Sequence, residues 1–120
     1  MLILKANSVA LLYEYLRSFP PFSGISKMPP ADEVEFCIVK DRSRIGWWSW
    51  QDGVHRISIS ANGVSHTSTL AFYLGHEMCH VAVDVQGLST GGGENSHNAA
   101  FRKLAARFCR AHGFDLKAFY

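Results

Sequence analysis

Two histidines, His76 and His80, lie four positions apart in a long segment of helical character. Threonine and serine at the start of this segment can cap a helix that we expect to run from about residue 67 to about residue 85. Residues four apart on an α-helix lie roughly 40° from each other around the axis, so the two imidazoles project side by side. Glu77 lies roughly 60° from His80, beside the pair. The segment therefore predicts a helix that presents two imidazoles and one carboxylate together.

Two further helices are expected, one on each side in the sequence. Apolar residues at helical intervals predict an opening helix over residues 8–19, with Asn7 or Ser8 as its N-cap. Two proline pairs follow and require a loop. A last helix is predicted over residues 96–112, ended by Gly113.

The segments between these helices predict a small sheet. Runs rich in β-branched and aromatic residues predict strands over residues 34–40, 45–50 and 54–60. The Asp52-Gly53 pair predicts a tight hairpin between the last two strands. We expect a three-stranded antiparallel meander whose third strand is an edge beside the histidine-bearing helix. The expected fold is one α+β domain of 120 residues, with the helices packed on one face of the sheet.

The composition is typical of a globular protein that folds on its own. Apolar residues make up 48% of the chain and charged residues 18%, and the net charge of +2 gives little general attraction for nucleic acid or an anionic membrane. Three cysteines without a CxxC pair favour a reducing compartment. The N-terminal segment lacks the basic region of a signal peptide, and no apolar run has transmembrane length. We therefore expect a cytoplasmic protein with no membrane partner.

The two histidines and the intervening glutamate form an H-E-x-x-H pattern. On a helix, this pattern supplies two zinc ligands and a general base. A catalytic zinc ion also needs a third protein ligand and one position left open for water. Three candidates for the third ligand follow the pattern in the sequence: Asp84, Glu94 and His97.

His97 is the strongest of these candidates. The apolar stripe of the last predicted helix continues back onto His97 at helical spacing, through Phe101, Leu104 and Phe108. The glycines at residues 91–93 supply the reversal that brings His97 toward His80. Asp84, one turn after His80, is better placed to hydrogen-bond a ligand or solvent. Glu94 remains an alternative ligand in the loop.

Other polar and aromatic residues are interpreted first as structural. Cys79 is expected to be a small buried thiol, and Tyr73 to pack, although it could assist an oxyanion. Packing is favoured over a stacking surface for the tryptophans, which are Trp47, Trp48 and Trp50. Three histidines fit no ligand spacing: His55, His66 and His112, of which the last could interact with the helix dipole beside Gly113. The basic residues of the last helix are expected to form a solvated face: Arg102, Lys103, Arg107 and Arg110.

The string "HEMCH", followed after a short loop by "HNAAF" and a basic helix ending in "RAHGF", resembles the SprT-like zinc metallopeptidases. The upstream order of helix, proline loop and three strands is similar to the catalytic domain of that family, so the resemblance covers most of the chain. It implies a zincin-like fold. The sequence departs from the family in having no cysteine-rich zinc ribbon after the domain, so we expect a minimal form. The resemblance also implies one zinc ion held by His76, His80 and His97, with Glu77 as the catalytic residue. Some members degrade proteins crosslinked to DNA, so the resemblance implies DNA association, which the net charge does not support.

Together these features predict a zinc-dependent endopeptidase that acts on a protein or peptide substrate. A metal-activated water would attack the peptide carbonyl, with Glu77 as general base. An extended substrate could pair with the third strand as an added strand. The alternative is a regulatory or partner-binding protein that binds zinc on the same scaffold with little turnover. Glu77 favours the peptidase, because a pure binder needs no base at this position.

Overall fold

The computed structural model describes residues 4–62, 67–91 and 96–119, which form an α+β fold with four helices and a three-stranded mixed sheet. The helices are α1 (Ala6–Arg17), α2 (Thr67–Val85), α3 (Ala99–His112) and α4 (Leu116–Phe119). The strands are β1 (Val34–Val39), β2 (Gly46–Gln51) and β3 (Val54–Ser60). Two 3-10 helices, Phe22–Gly24 and Ala31–Glu33, lie between α1 and β1. The α+β class is confirmed, and none of the helices described is long and apolar enough to cross a membrane.

The expected antiparallel meander is wrong in its strand order. The strands lie in the order β1-β3-β2, with β3 parallel to β1 and antiparallel to β2. The hairpin between β2 and β3 is confirmed, since Gln51 pairs with Val54. Asp52 and Gly53 have φ angles of 54° and 80°, the positive values that a type I′ turn requires. The third strand is therefore central, and β1 and β2 are the two edge strands of the described sheet.

Ser60 at the end of β3 explains how β1 and β2 come to lie on opposite sides of that strand. The segment that joins β1 to β2 crosses the end of β3, where Ser60 N–H donates to the Ile45 carbonyl at 2.7 Å. The buried Ser60 hydroxyl donates to the Asp41 carbonyl at 2.6 Å, and its oxygen accepts from Asp41 N–H at 3.1 Å. These bonds pair the backbone groups of the crossing segment. Strand propensity alone carries no information about such a crossing.

Helix α1 packs against the sheet and α2 through Val9, Tyr13 and Leu16. Tyr13 donates a hydrogen bond to the Pro29 carbonyl at 2.7 Å and so fixes the proline-rich loop to the helix. The helix begins two residues earlier than expected, with Lys5 at its N-cap position and no side-chain cap. The prediction that Asn7 or Ser8 is the N-cap is therefore wrong, because both residues lie within the helix.

Helices α2 and α3 approach each other closely at Gly75. A Cβ atom at this position would overlap three atoms of the buried Phe108 ring, all closer than 3.0 Å. Only glycine allows this approach without a shift of the ring. Because His76 is the next residue in the chain, the contact also sets the position of the expected metal site relative to α3.

Helix α3 begins three residues later than the sequence predicted. Asn98 is its N-cap, and the side chain of Asn98 accepts a hydrogen bond from Phe101 N–H at 2.9 Å. His97 therefore precedes the helix and is not part of its first turn. The end at Gly113, with a φ of 77°, is as predicted. The basic residues of this helix are exposed, which confirms the solvated face: Arg102, Lys103, Arg107 and Arg110.

Candidate metal centre

The structure brings together the three histidines that the sequence singled out. One nitrogen from each of His76, His80 and His97 lies within 4.8 Å of the other two. The ring centroids are 5.0 to 5.1 Å apart. Two of the rings come from successive turns of α2, and the third comes from the turn before Asn98. This triad could hold a metal ion, and three imidazole nitrogens are a donor set that catalytic zinc sites use.

A backbone hydrogen bond fixes the tautomer of His76. Its Nδ1 atom lies 2.6 Å from the carbonyl oxygen of Phe119 in α4. Because a carbonyl can only accept, Nδ1 must carry the proton, and Nε2 is left with a free lone pair. Metal-binding histidines commonly donate their second ring nitrogen to such an acceptor. No sequence pattern predicts this partner, because every residue has a carbonyl group.

The environment of the triad keeps all three imidazoles neutral at pH 7. Burial lowers the pKa of His76 to about 4, although the Phe119 carbonyl opposes this effect. Burial and the two neighbouring histidines lower the pKa of His80 to about 3. Burial also lowers the pKa of His97. Because only the neutral imidazole binds a metal ion, the triad is in its binding form at physiological pH.

Phe101 forms the floor beneath the triad. Its ring is fully buried and its centroid lies 4.5 Å from that of His80, 4.7 Å from that of His97 and 5.1 Å from that of His76. The predicted apolar stripe therefore does place His97 against the core, even though His97 lies outside the helix. An apolar floor of this kind restricts the rotation of all three imidazoles.

Glu77 is buried beside the triad, with only 3% of its surface exposed. Burial raises the pKa of its carboxyl group to about 8. The close approach of β2 depends on Gly46, since a Cβ there would lie 3.3 Å from Glu77 Oε2. In the metal-free protein the carboxyl group is therefore mostly protonated at pH 7, and a cation held by the adjacent imidazoles would favour its ionised, proton-accepting form. Its position supports the predicted role of Glu77 as a base.

The triad and Glu77 open into a cleft with two lobes, each a cavity of about 440 Å³. Both lobes are lined by Arg44, Gly46, His76 and Glu77. The first lobe continues to Trp47, Trp48 and His97, and the second continues to Tyr73 and Phe119. His76 and Glu77 therefore lie where the two lobes meet, whereas His80 and His97 line only the first lobe. An extended ligand that spans both lobes could contact all four residues.

Among the alternative ligands, Asp84 does not join the triad. Its carboxylate oxygen Oδ2 lies 3.8 Å from Nε2 of His55, and 31% of the side chain is exposed, so the expected hydrogen bond to solvent stays a prediction. Glu94 lies outside the described residues, as does His66. Neither residue can therefore be compared with its prediction.

Two further predictions concern buried residues. Cys79 is fully buried, and burial raises the pKa of its thiol, which confirms the inert packing role. His112 is not a charged partner of the helix dipole, because burial lowers its pKa. Its ring packs against Phe108 at a centroid distance of 4.6 Å.

The tryptophans of β2 contribute to the cleft more than the packing interpretation suggested. The Trp48 ring lies nearly parallel to the His80 ring. The Arg44 guanidinium lies over the Trp47 ring, with its Cζ atom 3.8 Å from the ring centroid. Trp50 is 55% exposed. Strand alternation predicts which tryptophans share a face, but it cannot show which of them meets a histidine from α2.

Comparisons with protein-family models, with curated proteins and with solved structures found no match to this chain. The interpretation of the site therefore rests on its residues and their geometry.

Proposed function

We propose that this chain is a zinc-dependent endopeptidase of the SprT-like type. His76, His80 and His97 bind one zinc ion, and Glu77 is the general base. The observation that carries the proposal is the convergence of three neutral imidazoles beside a buried carboxyl group in an open cleft. A site for metal binding alone needs the imidazoles but not the adjacent acid.

Bound zinc would supply Lewis acidity, which polarises the peptide carbonyl and lowers the pKa of a water molecule. Glu77 accepts the proton of the attacking water and later donates it to the departing amine. Burial supports the second role, because it raises the pKa of the carboxyl group and so favours the protonated form that donates to the amine. The carbonyl of Phe119 keeps His76 in the tautomer that binds the metal.

Strand β2 offers the cleft an edge on which a peptide can pair. The Ile45 carbonyl accepts a hydrogen bond from Ser60 N–H. In the antiparallel register of β2 and β3, the N–H and C=O groups of the odd-numbered residues from 45 to 51 therefore point toward β3. In an antiparallel pair, the residues between them point outward. The N–H and C=O groups of Gly46 and Trp48 therefore face the edge beside the triad. We infer that the substrate binds as an added strand on β2, not on β3 as the sequence suggested.

Arg44 gives this cleft a preference for acidic side chains. It lines both lobes and rests on the Trp47 ring, and its guanidinium is 3.4 Å from an Asp41 carboxylate oxygen. These two contacts restrict the guanidinium, which has five N–H donors in total. We infer that Arg44 pairs with an aspartate or glutamate of the substrate near the scissile bond.

The proposal extends to compartment and partners. The substrate is a protein or an extended peptide, and the three free cysteines fit a cytoplasmic setting. DNA is not needed for the proposed chemistry. It would act on the reaction only through additional contacts, such as those available to the exposed basic face of α3.

The test compares the wild-type chain with Glu77→Gln in cleavage of an unfolded protein, with one equivalent of zinc. We expect cleavage by the wild type and a loss of at least about a hundredfold in Glu77→Gln, since general bases contribute about 10² to 10⁴ in rate. Glu35→Gln, which removes an exposed carboxylate paired with Arg56, serves as the control and should retain full activity. Equal activity in all three proteins would refute the role of Glu77. Zinc binding without cleavage would favour the partner-binding alternative.

A further inference from the structure

Three residues outside the triad meet next to His80. The Trp48 ring lies nearly parallel to the His80 imidazole, with a centroid distance of 5.7 Å and an interplanar angle of 11°. The indole Nε1–H of Trp48 donates to Nδ1 of His55 at 3.1 Å. The opposite nitrogen of His55, Nε2, lies 3.8 Å from Oδ2 of Asp84. These contacts form a continuous path from one side chain of α2 to another.

The donor and acceptor roles along this path are fixed by chemistry. An indole N–H can only donate, so Nδ1 of His55 must accept. Burial lowers the pKa of His55 against the opposing effect of Asp84, and only 8% of the residue is exposed. The single proton of the neutral ring therefore lies on Nε2, the atom that faces Asp84.

The path connects two elements that must keep a fixed spacing for the site to work. His80 and Asp84 lie one turn apart on α2, whereas Trp48 and His55 lie on the two strands of the hairpin. The helix and the hairpin therefore contribute two side chains each, and the series of contacts begins and ends on α2. Rotation of the His80 ring would break the stacking with Trp48, and displacement of β2 would break the bond to His55.

We propose that Trp48, His55 and Asp84 form a brace that holds the His80 imidazole in its metal-binding orientation. The three are positioning residues, since none of them belongs to the triad. The inference rests on the proposed function only in assuming that the triad binds zinc. It assigns a joint role to three residues that the peptidase chemistry does not use directly.

The test measures zinc affinity by competition with a chromophoric chelator, together with the visible absorption of the cobalt-substituted chain. Outer partners of metal ligands typically change metal affinity by about 10- to 100-fold. We expect Trp48→Ala to weaken zinc binding within this range and to shift the cobalt bands. Trp48→Phe should retain most of the affinity, because it keeps a ring next to His80.

Two further variants probe the rest of the brace. His55→Phe removes the acceptor of the indole N–H, and Asp84→Asn removes the charge next to His55. We expect each to weaken zinc binding at least severalfold and to shift the cobalt bands in the same direction as Trp48→Ala. Trp50→Ala, on the same strand but with its side chain largely exposed, is the matched control and should leave both readouts unchanged.

The outcomes separate positioning from general support of the fold. Wild-type affinity and an unchanged cobalt spectrum in the folded Trp48→Ala and His55→Phe variants would overturn the brace, even if their melting temperatures fell. If Trp48→Ala does not fold, His55→Phe and Asp84→Asn decide by the same two readouts. Failure of the wild-type chain to bind zinc would instead refute the proposed metal site, and the brace with it.

Discussion

The contact between Gly75 and Phe108 predicts that Gly75→Ala destabilises the protein, although alanine is the better helix former. In an unobstructed helix interior, this substitution would stabilise by about 1 kcal/mol. Here the added Cβ would lie within 3.0 Å of three atoms of a rigid, buried ring. Overpacking of a core typically costs about 1 to 3 kcal/mol, and overlap with an aromatic ring belongs at the upper end of that range. We therefore expect a net loss of about 2 kcal/mol in the free energy of unfolding.

Urea denaturation and thermal melting measure this loss. For a domain of this size, about 2 kcal/mol corresponds to a decrease in melting temperature of roughly 6 to 10 °C. Gly24→Ala is the matched control, because a Cβ at Gly24 meets nothing within 4 Å. Its stability should stay within about 0.5 kcal/mol of the wild type. Stability of Gly75→Ala equal to or above that of the wild type would refute the reasoning.

A double-mutant cycle identifies the cause. Phe108→Leu removes the ring atoms that the new Cβ would meet, so Gly75→Ala should cost less in that background than in the wild type. Additive effects would show that the loss comes from elsewhere in α2. Relief of the overlap by a shift of α3 would also move His97, so zinc affinity should fall together with stability.

The other predictions concern the site itself. In the metal-free protein, the pKa of Glu77 of about 8 exceeds its ordinary value of 4.5, so the folded state holds the proton more tightly. The contribution of Glu77 to stability is complete below pH 4.5 and is lost as the pH rises through 8. Urea denaturation with a chelator present should therefore show that the free energy of unfolding, relative to that of Glu77→Gln, falls by about 3 to 5 kcal/mol between pH 5 and pH 8. A pH-independent difference between the two proteins would contradict the buried, unpaired state of this carboxyl group. His97→Ala should weaken zinc binding by at least about a hundredfold in the chelator assay, because it removes one of three ligands; unchanged affinity would move the third ligand to Glu94. In a library of peptide substrates, Arg44→Ala should abolish the preference for acidic residues, and the control Arg42→Ala should retain it. Equal cleavage preferences in the two variants would show that Arg44 does not take part in substrate recognition.

The parts of the structure that local spacing determines could be predicted from the sequence. His76 and His80 are neighbours on any helix, and Asp52-Gly53 favours one type of turn wherever it joins two strands. The apolar stripe that His97 shares with Phe101 predicts its position, although α3 begins only at Ala99, two residues after His97. These predictions depend on interactions within a few residues of each other.

Contacts between distant segments could not be predicted in this way. The pattern of β1 is compatible with pairing on either side of the hairpin. The side on which β1 pairs depends on the hydrogen bonds that Ser60 makes with the backbone of the segment between β1 and β2. The pattern of residues in a strand does not show such bonds. The partner of His76 is a backbone carbonyl 43 residues away, at Phe119. The approach of Trp48 to His80 depends likewise on how α2 lies across the sheet.

The hydrogen bond between His76 and Phe119 has a consequence for how the end of the chain and the metal influence each other. Because α4 supplies the acceptor that holds His76 in the tautomer with a free Nε2 lone pair, docking of α4 would raise the affinity of the triad for the proposed ion. Thermodynamic linkage requires the reverse effect to be equally large, so an ion bound by the triad would stabilise docked α4 by the same factor. A four-residue helix is too short to be stable alone. Binding of the proposed ion would therefore stabilise the docked position of α4, and a partner that displaces α4 would weaken metal binding.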